Sequence, residues 1–96
     1  MAGRKGKIVP GVATVSSAGT AVQLSSTDYR ASGITIKAAR ANTNAIYIGD
    51  STVDNSSGKI FPDQSLTFSF NPSHDISAIY VDADTDGNKA EWWVVI

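Results

Sequence analysis

The sequence contains no cysteine, which excludes disulfide bridges and thiolate metal ligation. Its single histidine, His74, leaves too few ligands for a typical zinc site. Glutamate occurs once and leucine twice, so strong helix formers are scarce. No apolar run approaches the ~18 residues of a membrane span, and the N-terminus lacks the apolar stretch of a secretory signal. These absences predict a chain made in the cytoplasm, with neither a membrane partner nor a cofactor. Charge is also nearly balanced, at −1 from eight basic and nine acidic residues, which gives no general attraction to nucleic acid.

What is present is a strand composition. Ser and Thr make up about a fifth of the 96 residues, and Val, Ile, Thr and aromatics come in short runs bounded by Gly, Asn, Asp, Ser or Pro. In SLTFSF at 65–70, Leu66, Phe68 and Phe70 alternate with Ser65, Thr67 and Ser69, so the apolar set is read as inward-facing. Ile34 and Ile36 alternate with Thr35 and Lys37. Ile46 and Ile48 oppose Tyr47, and Ile79 and Val81 oppose Tyr80. Weaker runs cover 12–15, 20–24 and 58–61, and a last run covers 90–96. Residues 17–19 and 42–44 read as hairpin turns, 54–58 and 71–73 as longer loops, and 84–88 as a tight turn whose Gly87 accepts positive φ. A short helical turn is expected at 26–31. About eight antiparallel strands at roughly ten-residue spacing predict an all-β domain, a β-sandwich or jelly roll, spanning 10–96. Residues 1–9 read as a flexible basic arm carrying Arg4, Lys5 and Lys7.

The terminal run does not alternate. In EWWVVI at 91–96 both faces are apolar, and adjacent strand residues point to opposite sides, so Trp92 and Trp93 cannot both enter one core. Either Trp92, Val94 and Ile96 face inward with Trp93 and Val95 outward, or the reverse. The outward set requires cover from another subunit or a ligand.

Candidate chemistry is sparse. Asp82, Asp84 and Asp86, followed by Gly87, match the opening of a calcium loop, but Trp93 stands where such a loop has its bidentate Glu. A carboxylate-rich strand turn is the simpler reading. No serine near His74 lies in a nucleophile elbow, and the adjacent Asp75 is poorly placed to orient the ring. No catalytic residues are assigned, and the chain is not read as an enzyme.

Several segments together resemble small structural proteins of tailed bacteriophages. They are GTAVQL at 19–24, GITIKAA at 33–39, ANTNAIYIG at 41–49, FP at 61–62 and ISAIYVDAD at 76–84, and the resemblance spans about 12–96. It implies a virion structural component on or near the head, with no catalytic residues to carry over. The expectation is a decoration or cement protein that binds the major capsid protein or other virion proteins, bridges capsomers and acts as a homo-oligomer, most simply a trimer. Its contact residues would come from Arg4, Lys5, Lys7, Trp92, Trp93 and Val95. The alternatives are a carbohydrate- or host-binding fibre module that stacks sugars on Tyr47, Tyr80 and a Trp, with calcium at the acidic turn, and a tail or connector component.

Overall fold

The computed structural model describes residues 7–27 and 29–96. Eight strands form two four-stranded sheets: β1 (Ile8–Val15), β2 (Val22–Gln23), β3 (Arg30–Ala38), β4 (Ile46–Gly49), β5 (Lys59–Ile60), β6 (Ser65–Asp75), β7 (Tyr80–Ala83) and β8 (Asn88–Val95). The sheet orders are β1-β8-β3-β6 and β2-β7-β4-β5. Strands pair antiparallel as β1 with β8, β2 with β7, β3 with β6 and β4 with β5. The chain is thus one long hairpin, tipped between β4 and β5, whose paired ribbon rolls over itself into two sheets. That is the jelly-roll order.

The core lies between the sheets. Val15, Ile34, Ile36, Trp92 and Val94 of the longer sheet meet Ile46, Ile60, Val81 and Ala83 of the shorter one. Strand alternation selects this set from each run, because β-branched Ile and Val fill the pleat while Ser, Thr and Lys take the other face. Trp92 lies across Gly11 of the neighbouring strand, where the missing side chain makes room for the indole. Tyr29 packs on the same indole with ring centroids 6.3 Å apart.

The rolled ribbon changes several turns. Residues 17–19 and 42–44 are not hairpins; each carries the chain from one sheet to the other, and among the described strands only β4 and β5 join consecutive partners within a sheet. Both crossings are held by side chains. Ala18 N–H donates to Asp86 (2.7 Å) and Gly19 N–H to Asp82 (3.0 Å), with Gly19 at φ +86°. Asn88 brackets Thr43, accepting from its N–H and donating to its carbonyl, and Asn42 does the same to Lys89.

Residues 71–73 are not a loop. They form an irregularity within β6 opposite Ser32, and the Asn71–Pro72 bond is cis. The described residues of 26–31 form no helical turn: Ser25 Oγ captures Thr27 N–H (3.1 Å) and β3 begins at Arg30. A 3₁₀ turn appears instead at Ile76–Ala78, before β7, with Asp75 accepting from Ser77 N–H. The domain also begins earlier than 10, because the Lys7 and Ile96 backbones bond reciprocally and β1 starts at Ile8. Arg4 and Lys5 lie outside the described residues.

A Cβ at Gly11 would overlap the Trp92 ring. Gly11→Ala is therefore expected to cost about 1–3 kcal/mol by overpacking. That lowers the melting temperature by roughly 5–20 °C for a domain of this size. Gly58→Ala, where nothing lies within 4 Å, should leave the melt unchanged. Calorimetry of the two variants checks the contrast.

Candidate assembly face

Because β8 is central in its sheet, flanked by β1 and β3, its two faces are fixed. Trp92 and Val94 enter the core, while Trp93 (39% exposed) and Val95 (43%) stand on the outer face. Trp92 is thereby removed from the expected contact residues, since at 5% exposure it has no surface to offer.

The register aligns the outer face in rows. Ile8, Val95, Gly33 and Ser69 form one, and Pro10, Trp93, Thr35 and Thr67 the next. A third row carries Val12, Glu91, Lys37 and Ser65, so an apolar patch is bordered by charge on one side. Ile8 (69% exposed) and Val12 (57%) are its most open members. Gly33 leaves a shallow depression beside Trp93 and Val95, of about 570 Å³, floored by backbone and by Thr35 and Thr67. Lys37 turns toward Asp63 (3.2 Å), which Arg40 also reaches (3.2 Å), and these two cations hold the Asp63 carboxyl below its usual range. Taking an exposed Ile or Val side chain to full burial is worth on the order of 1.5–3 kcal/mol. Covering these part-exposed side chains recovers a fraction of that for each, so a partner on this face would bind mainly by burial.

Ile8, Pro10 and Val12 are absent from the expected contact residues, because 1–9 reads as an arm and the first strand only as a weak run over 12–15. The alternation of Val9, Gly11, Ala13 and Val15 with Ile8, Pro10 and Val12 was the signal that could have found them. Lys7 is exposed, but its backbone pairs with Ile96, so alternation sets its side chain on the opposite face from Ile8 and the patch.

The other sequence candidates do not converge. Asp82 and Asp86 serve the crossing at 17–19, and Asp84 accepts the Tyr47 hydroxyl. Among the described residues no three acidic or histidine side chains are grouped to hold a metal ion. His74 is exposed, with its ring 5.0 Å from that of Phe70. Tyr47 and Tyr80 occupy the outer face of the shorter sheet and Trp93 the outer face of the longer one, so they form no common stacking platform. Tyr47 is itself buried, with Lys59 Nζ 5.7 Å from its ring centre. No described helix is long and apolar enough to cross a membrane. Comparison with protein-family models, with curated proteins and with solved structures finds no match.

The hydrogen bond to Asp84, then burial, then the charges of Asp84 and Asp82 push the Tyr47 hydroxyl up to about 12. Between its ordinary value of 10.0 and that figure the folded protein keeps a proton that the unfolded chain releases. The resulting stabilisation is whole below the lower value and disappears as pH rises through the upper one. Denaturant melts across this window should show stability falling with pH, and Tyr47→Phe should flatten the slope. An equal slope in the variant would contradict the assignment.

Proposed function

We propose that the chain is a bacteriophage virion structural protein, a decoration or cement protein that stabilises the head by binding its shell through the outer face of the longer sheet. The observation that carries this reading is the contiguous exposed patch of Ile8, Val12, Trp93 and Val95 on the outer face of that sheet. Monomeric soluble domains rarely leave such apolar surface open without a use. The resemblance of segments across 12–96 to small tailed-phage proteins supplies the setting. The jelly-roll order agrees with it, as viral capsid domains use this architecture, although lectin-type domains use it too and the fold alone assigns no role.

In this reading Trp93 is the anchor, Ile8, Val12 and Val95 exclude water around it, and the Glu91–Lys37 row forms a polar rim. The protein acts by adding contacts rather than by chemistry, and works from the virion rather than the host cytoplasm where it is made.

The test uses heads prepared without the protein. They should lose heat resistance, recover it when the protein is added back, and bind Trp93→Ala about 30-fold more weakly, as loss of a central aromatic anchor predicts. Unchanged heat resistance in depleted heads, absence of the protein from heads, or full rescue by Trp93→Ala would overturn the proposal.

A further inference from the structure

Two four-stranded sheets have four edges, and among the described strands three are unsuited to pairing with another chain. β2 and β5 are two residues each. β1 is long, but Lys7 and Ile96 bond reciprocally, so alternation turns the backbone groups of Val9 and Gly11 toward β8 and those of Ile8, Pro10 and Val12 toward open solvent. Pro10 has no N–H to offer there, a common way to blunt an edge.

The fourth edge, β6, is not blunted. Ala38 N–H donates to Gln64 (2.9 Å), which turns alternate β3 residues toward β6 and pairs Ile36 with Leu66 and Ile34 with Phe68. Ser65, Thr67 and Ser69 therefore direct their N–H and C=O groups away from the sheet. No charged residue or proline interrupts 65–71. On the inner face Leu66 (38% exposed) and Phe68 (37%) extend past the cover of the shorter sheet, and Phe70 stacks on Phe68 with centroids 6.5 Å apart.

We infer that β6 pairs antiparallel with β6 of a second copy, across a two-fold axis at Thr67, joining the longer sheets of two protomers into one eight-stranded sheet. The strand suits its own reverse. With Thr67 facing Thr67, Ser65 meets Ser69 and Leu66 meets Phe68 of the second copy, so hydroxyls line one side, apolar groups the other, and no like charges oppose. Pro10 supplies the reason the pairing stops at two. A head-to-tail β6–β1 contact, which would build open fibres, meets the blunted edge, whereas the two-fold contact uses up both open edges and closes.

Residues directly opposite in a ladder share a face, so the Trp93 patches of the two copies lie on the same side of the joined sheet. That makes the dimer bivalent toward any surface the patch binds. The pairing does not depend on the proposed role, and is measured on the free protein. It is a twofold assembly, whereas the sequence leads to the expectation of a trimer, and the measured oligomer number decides between them.

Edge pairing over this short stretch buries less than a standard interface, which places the dissociation constant at roughly 10–100 µM. Sedimentation equilibrium on the purified chain should show monomer–dimer exchange in that range. Thr67→Lys, which charges the edge at the axis while leaving the β3 pairing backbone in place, should weaken it at least tenfold with an unchanged circular dichroism spectrum. Thr67→Cys, in a chain without other cysteines, should cross-link on oxidation, since facing Cα atoms in a bonded antiparallel pair are about 5.5 Å apart. A monomer up to ~1 mM, a trimer, or a dimer that Thr67→Lys leaves intact and Thr67→Cys fails to cross-link would overturn the inference.

Discussion

The structure depends on the alternation of a single strand, β8. It is hydrogen-bonded on both sides, to β1 and β3, so it cannot rotate to hide two consecutive indoles. Trp92 takes the core because Gly11 leaves a space for it, and Trp93 is then forced outward with Val95 one pleat further on. The apolar outer face therefore follows from the way the core is filled, and it could be buried internally only by giving up the Trp92 seat.

A second consequence comes from unequal sheets. The ribbon that rolls into the jelly roll contributes long strands to one sheet and short ones to the other, so the smaller sheet cannot cover the inner face of β6. Leu66, Phe68 and Phe70 do point to the core side, as their alternation implies, yet remain part-exposed because the short strands of the smaller sheet stop before covering them, among the described residues. The molecule thus has two kinds of surplus: an apolar outer face on β1 and β8, and an unpaired backbone edge on β6. A domain of this size, with no disulfide to support a small core, is of the kind that gains stability from partners.

The strand count, the all-β class and the inward sets of Ile34, Ile36, Ile46 and Val81 were legible because period-two alternation is a local signal. The connections were not. The turns at 17–19 and 42–44 have hairpin composition, but the partners of their flanking strands lie far along the chain, and nothing local distinguishes a hairpin from a crossing between sheets. The start of β1 was not legible, because 1–9 reads as an arm, and Pro10 and Gly11 each fit the strand only because of where they sit, at an open edge and beneath an indole. The acidic turn shows the same limit. Alternating carboxylates carry the pattern of a metal loop, yet Asp82, Asp84 and Asp86 face different neighbours, an arrangement set by the crossing they hold and by the position of Tyr47.

That the outer face of β8 is an assembly surface is most directly tested by chemical footprinting of the two indoles in the free protein and in purified particles. Trp92 should be protected in both states, and Trp93 should react in the free protein and become protected in the particle. Trp93 reacting equally in both would contradict the account.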